Sequence, residues 1–218
     1  MNRRSGRLVG WLALVGTVAL LGYAQRASGG KPEQDSLYHY STAAGEFVFF
    51  VVVLGIALAL TIGLPKRELL ALRRPNSWVL AAVLAVVVLV AIVVLNAALD
   101  PFLHAGREQG LAPKRWEPAH AGAFAANFVV FGFFGPVVEE VTFRGVGFRL
   151  LERFGRGTAV VLVGLAFGVW HGLVDALPIL TAFGIGLASL RAWTGSIYPS
   201  MLLHSAFNSL ALVLAVTV

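Results

Sequence analysis

Cysteine is absent from the 218 residues, which excludes a disulfide framework, a thiol nucleophile and any cysteine-based metal site. Charge is scarce: 13% of the residues are Asp, Glu, Lys or Arg, about half the share of an ordinary soluble domain. Internal repeats, low-complexity tracts, long linkers and the HExxH helix of the common zinc proteases are missing as well. Apolar residues fill the chain instead. They make up 58% of it, with 24 glycines on top and a mean hydropathy of +0.80. That composition excludes a disordered chain and belongs to a membrane protein, not to a water-soluble domain. The length fits one compact helical bundle without a sizeable extramembrane domain.

Seven runs reach the roughly 17–25 apolar residues that a spanning helix requires. They are Leu8–Ala24, Phe47–Leu64, Trp78–Leu99, Gly122–Val138, Thr158–Val174, Ala176–Trp193 and Ser196–Thr217. Their length and lack of alternation exclude barrel strands. The expected fold is therefore all-α, a polytopic transmembrane bundle of about seven spans. No small-x-small cleavage site stands around Tyr23–Ala27, so the first run reads as an uncleaved anchor and not a signal peptide.

The net charge of +6 is spread over short loops, not gathered on one surface, so no nucleic-acid partner is expected. Twelve of the 17 basic residues fall on one side of the alternating spans. These are Arg3, Arg4, Arg7, Lys66, Arg67, Arg73, Arg74, Arg144, Arg149, Arg153, Arg156 and Arg191. The other side holds Arg26, Lys31, Arg107, Lys114 and Arg115. The basic excess marks the cytoplasmic face, which predicts a cytoplasmic N-terminus and an outer C-terminus.

Ionisable groups inside spans are costly and point to function by default. His39, His104 and His120 lie in expected outer loops as surface residues. His171 and His204 lie inside apolar runs, and Glu139 and Glu140 directly extend another. At ~1.5 Å per residue, His171 is ~20 Å and His204 ~12 Å from the inner ends of their helices. If the fourth helix continues past Val138 towards Arg149 or Arg153, Glu139 lies ~15–21 Å from its inner end. Three independent runs then bring glutamate, histidine and asparagine to one depth. Residues four apart share a helix face, so Glu140 can pair with Arg144, Phe167 lies beside His171, and His204 beside Asn208. Gly135-Pro136 predicts a kink in the fourth helix, because proline removes a backbone donor and clashes with the preceding turn.

Two adjacent buried carboxyls cannot both ionise cheaply. Arg144 can hold one as an ion pair while the other acts as general base on water. Histidine and amide donors can stabilise a developing oxyanion, a set suited to amide hydrolysis. No serine or threonine is clearly placed as a nucleophile, although Ser205 and Ser209 adjoin the third polar pair. A lone intramembrane His or Asn is ordinarily interhelical hydrogen-bonding glue, and Asn127 is read so. Trp78, Trp193 and Tyr198 read as interface anchors, and Gly164, Gly168, Gly184 and Gly186 as close-packing sites. Phe167 reads as cavity wall. Glue explains poorly why Glu139, His171, His204 and Asn208 reach one depth.

Glu139-Glu140-Val141-Thr142-Phe143-Arg144 matches the pattern EExxxR, Phe167-Gly168-Val169-Trp170-His171 matches FxxxH, and His204-Ser205-Ala206-Phe207-Asn208 matches HxxxN. Their order and spacing resemble the CPBP (Abi) family of CAAX prenyl endopeptidases and bacteriocin-processing or immunity proteins. Gly186–Arg191 and Thr194–Pro199 are similar to that family's approach to its last motif. The resemblance runs from about Gly122 to Leu210. It divides the chain into residues 1–121, with about three N-terminal transmembrane helices and an outer loop, and residues 122–218, a catalytic core of four helices.

The resemblance implies an intramembrane endopeptidase of glutamic type, cleaving a membrane-anchored peptide or protein. Glu139 would activate water, assisted by His171. His204 and Asn208 would form the oxyanion site, with Glu140, Arg144 and Phe167 in support. No cofactor or metal is expected; if a metal binds, its ligands would be Glu139, His171 and His204. The alternative is a catalytically silent immunity or scaffold protein of the same fold. The composition resembles that of bacterial inner-membrane proteins, with lipid as the standing partner.

Overall fold

A computed structural model describes residues 3–29, 35–103, 108 and 115–217. Lys31, His104, Arg107 and Lys114, assigned above to outer loops, lie outside them. Among the described residues eight helices carry the fold: α1 (Arg3–Ala27), α2 (Tyr40–Ala59), the short α3 (Lys66–Leu69), α4 (Trp78–Leu99), α5 (Pro118–Phe154), α6 (Arg156–Trp170), α7 (Leu177–Thr194) and α8 (Tyr198–Thr217). Among the described residues there is no strand. The chain is an integral membrane protein with an all-α bundle.

Among the described residues six helices are long and apolar enough to cross a membrane, close to the expected count of about seven, and a shorter apolar helix accounts for the remaining run. The expected span over Thr158–Val174 is the 15-residue α6, which ends where Gly172 turns left-handed at φ +63°. The second run is displaced too. α2 begins at Tyr40, seven residues before the apolar stretch, and stops at Ala59 ahead of a turn through Gly63 (φ +77°).

α4 illustrates lipid as solvent. Its apolar window is only 11% buried, and Val79, Val83, Val87 and Val93 face outward along its length. Ser77 caps it, its hydroxyl accepting from the Leu80 N–H at 3.1 Å. Trp78, Trp193 and Tyr198, expected as anchors, are exposed near helix ends.

α5, α6, α7 and α8 surround the interior, with α1 and α2 packed on one flank and α4 on another. The most extensive contact joins α6 to α7, and glycine makes it possible. A Cβ on Gly184 would meet the Gly164 carbonyl oxygen at 2.8 Å, and one on Gly164 the Ile185 amide nitrogen at 2.7 Å. Backbones this close are the mark of small-residue packing in membranes.

α5 continues past Val138, as its apolar tail predicts. Its 37 residues would span ~55 Å, well beyond a ~30 Å hydrocarbon core. Its glutamates sit close to its middle, at the end of the α-helical stretch Gly135–Glu140. π-helical segments flank that stretch, Val130–Phe134 before it and Val141–Gly147 after it. At Gly135-Pro136, where a kink is expected, the hydrogen-bond register changes from π to α. π segments cluster at functional sites, because the extra residue per turn re-aims side chains.

Candidate active site

Helix phase sets the first contacts. Glu140 and Arg144 are one turn apart on α5, and the guanidinium Nη1 donates to Glu140 Oε1 at 2.8 Å. Both side chains are fully buried. Arg144 Nη2 donates to the Gly184 carbonyl at 2.9 Å, and its guanidinium lies 4.4 Å from the Phe167 ring centroid. A planar fork meets all three demands at once, which an ammonium could not.

His204 enters from α8. Its Nδ1 is 3.1 Å from Glu140 Oε1 and its Nε2 3.6 Å from Glu139 Oε2. One imidazole thus lies between the two carboxylates. Glu140, engaged by Arg144, can only accept, so Nδ1 is the donor to it. Phe167, 1% exposed, stands at the hub, edge-on to the His171 and His204 rings at centroid distances of 4.8 and 5.5 Å. It forms the wall between the two histidines.

His171 ends α6. Its Nδ1 lies 2.8 Å from the Phe167 carbonyl, so Nδ1 carries the hydrogen and Nε2 remains an acceptor in the neutral ring. Among the described residues no ion pair within 4.0 Å joins His171 to Glu139. Asn208, one turn beyond His204, donates from Nδ2 to the Phe131 carbonyl at 3.1 Å. The structure therefore brings Glu139, Glu140, Arg144, Phe167 and His204 into one cluster. It sets His171 against Phe167 and ties Asn208 to the α5 backbone.

The remaining polar residues separate from this cluster. Asn127 is fully buried and bonds the carbonyls of Leu37, His39 and Ala123, each at 3.0 Å, so it fixes the entry to α2. His120 is exposed beside Glu117 at 3.0 Å, and His39 is exposed. Among the described residues, no group of three or more His, Asp or Glu side chains is arranged to hold a metal ion. His204 and His171 each commit one nitrogen to the protein.

Two features escape a motif-based reading. The loop after His171 is clamped from outside the three motifs. Gly172 packs on Gly22 of α1, the Tyr23 hydroxyl donates to the Leu173 carbonyl at 3.2 Å, and Glu108 accepts from the Val174 and Ala176 amides at 2.8 and 2.7 Å. Arg26 pairs with Glu108 at 2.5 Å. Glu46 is the second feature. It falls on the inward stripe of α2 with Ala43, Phe50, Val53 and Ala57, near enough to feel the charge of Glu139. The helical period was the available signal for Glu46; for Glu108 the sequence offered none.

Residues 121–210 match the family model described as Type II CAAX prenyl endopeptidase Rce1-like. The match holds all three motifs, and it is the kind of family those motifs resemble. No curated protein and no solved structure gives a match.

Proposed function

We propose that this chain is an intramembrane endopeptidase that hydrolyses a peptide bond of a membrane-associated protein or peptide with a glutamate-activated water. At family level the match over residues 121–210 supports a CAAX-type intramembrane protease. The observation that carries the reading is the asymmetry of the two glutamates. Glu140 gives Oε1 to both Arg144 and His204 and has no exposed surface, whereas among the described residues the one ion-pair contact of Glu139 is with His204, across 3.6 Å. One carboxylate is spent on structure and its neighbour is left for chemistry.

In the proposed reaction Glu139 takes a proton from water as the water oxygen adds to the scissile carbonyl carbon. His171 Nε2, the free acceptor, orients that water. The oxyanion receives hydrogen bonds from Asn208 and from His204, which must then carry a proton on Nε2 as well as Nδ1. Collapse breaks the C–N bond, and the proton held by Glu139 passes to the leaving nitrogen. The products are a carboxylic acid and an amine, and Glu139 is regenerated. We place the Arg-rich side in the cytoplasm of a bacterial cell, with the C-terminus outside.

The test is cleavage of a membrane-derived peptide library by purified protein, wild type beside Glu139→Gln, each with and without chelator. Loss of a proton-transfer group should lower the rate by about 10²–10⁴-fold while the fold persists. Undiminished cleavage by Glu139→Gln would remove Glu139 as the base. Loss on chelation with rescue by a divalent ion would overturn the metal-free step. A folded wild type that cleaves nothing would favour the scaffold alternative.

A further inference from the structure

At the Arg-rich end of the bundle, the last turn of α7 holds a second buried arginine that the chemistry above does not use. Arg191 is 7% exposed, and its Nε is buried without a partner. Its guanidinium lies 5.1 Å from the Phe148 ring centroid. Among the described residues it makes no hydrogen bond and no ion pair, unlike Arg144, which has Glu140 and the Gly184 carbonyl. The α7 C-terminus offers only a partial negative charge. A guanidinium removed from water without a counter-ion is costly.

The surroundings deepen the imbalance. Arg73, Arg149 and Arg156 all act on Arg191, and Glu152 is the one acid that does, already engaged by Arg149 at 3.0 Å. Arg73 is held beside the end of α7 by its Nε, which donates to the Gly195 carbonyl at 2.8 Å. Four positive charges thus meet one negative. Trp193, near the end of the same helix, and Phe154, near the end of α5, are both more than half exposed, aromatic surface of the kind that sits at lipid headgroup level.

We propose that Arg191, with Arg73, Arg149 and Arg156 around it, forms a binding site for a phosphate-bearing anion, supplied by the headgroup of an anionic phospholipid. Arginine forks match phosphate oxygens bidentately, and basic pockets between transmembrane helices are the usual seats of anionic headgroups. The site is separate from the glutamate cluster and does not depend on the protease reading.

The experiment uses the full chain in neutral detergent, titrated with phosphatidylglycerol, with phosphatidylcholine, or with inorganic phosphate at matched ionic strength. Binding is read by native mass spectrometry and by the thermal midpoint. Phosphatidylglycerol should bind and raise the midpoint, phosphatidylcholine should not, and phosphate alone should act only weakly. Each arginine removed should weaken binding about fivefold. Because Arg191→Gln alters a buried position, the exposed pair Arg73→Gln and Arg156→Gln serves as a second variant, expected to weaken binding about 25-fold. Lys66→Gln with Arg7→Gln is the control at the same end and should change little. Equal loss in the control pair, or equal binding of both lipids, overturns the site. An effect of phosphate matching that of phosphatidylglycerol overturns the lipid as its source.

Discussion

Replacing Arg144 with alanine tests whether the centre of the bundle is held by charge. The side chain has no exposed surface, and neither has its partner Glu140, 2.8 Å away. With charge centres ~4 Å apart and an effective dielectric near 20, the attraction is about 4 kcal/mol. Removing one partner also strands the other, and such single losses cost about 3–5 kcal/mol. Arg144→Ala should therefore destabilise the protein by that amount, the lost contact with Phe167 included. Glu140→Gln, which leaves the guanidinium buried opposite a neutral amide, should cost about as much.

The double variant Arg144→Met/Glu140→Gln separates charge from shape. It has no stranded ion, so its cost should fall well below the sum of the single changes, with a coupling of at least about 2 kcal/mol. Reversible unfolding in mixed micelles gives the three free energies. Additivity to within about 0.5 kcal/mol would refute the reasoning, because the two groups would then not be an ion pair in the fold. Arg144→Lys should not restore stability, since a point charge cannot reach Glu140, the Gly184 carbonyl and the Phe167 face together.

Other expectations follow from the packing. Gly184→Ala would place a Cβ 2.8 Å from the Gly164 carbonyl and should cost about 1–3 kcal/mol, measured as a lower unfolding midpoint. Gly157→Ala, where nothing lies within 4 Å, should be neutral or stabilising by up to about 1 kcal/mol in the same measurement. Glu108→Ala strips two amides of their acceptor and Arg26 of its partner; each unmet buried donor costs about 1–3 kcal/mol. Amide exchange over residues 172–176 should accelerate, and any hydrolysis should lose kcat more than it raises KM, because His171 begins that loop. Unchanged exchange would show that Glu108 does not hold it.

The seven apolar runs were legible because lipid leaves a helix no alternative, and six of them are full spans. The fifth fell short because hydropathy does not register a left-handed turn: Gly172 lies just past the end of α6, inside the apolar run. The Glu140–Arg144 pair was legible from helix spacing alone. The close contact of α6 and α7 was legible from glycines. His204 lying between both glutamates was only half legible, since depth is a one-dimensional quantity and says nothing about which face of α8 turns inward. Glu46, one residue before an apolar run, was legible only through the helical period that continues back from that run. Glu108 was invisible for a different reason: its partners are backbone amides nearly seventy residues away, and backbone carries no sequence.

Asn208 shows how one residue can fit a motif and a structural need together, and the two are separable. In the π register of α5 the Gly135 N–H bonds the Val130 carbonyl, five residues back. The next donor in that register would be Pro136, aimed at Phe131, but proline has no N–H. The Phe131 carbonyl is left open, and Asn208 Nδ2 fills it at 3.1 Å. A carboxamide nitrogen has two hydrogens, so one remains for an oxyanion. Asn208→Ala should then cost about 1–2 kcal/mol in stability and, separately, lower the hydrolysis rate. Pro136→Ala supplies the missing N–H, so in that background the stability cost of Asn208→Ala should shrink to within about 0.5 kcal/mol while the rate loss stays. A stability cost that does not shrink would mean that Asn208 is not filling the place of the missing proline donor. A rate loss that disappears together with the stability cost would mean that Asn208 acts only by holding the α5 backbone, and the oxyanion would then have to rely on His204.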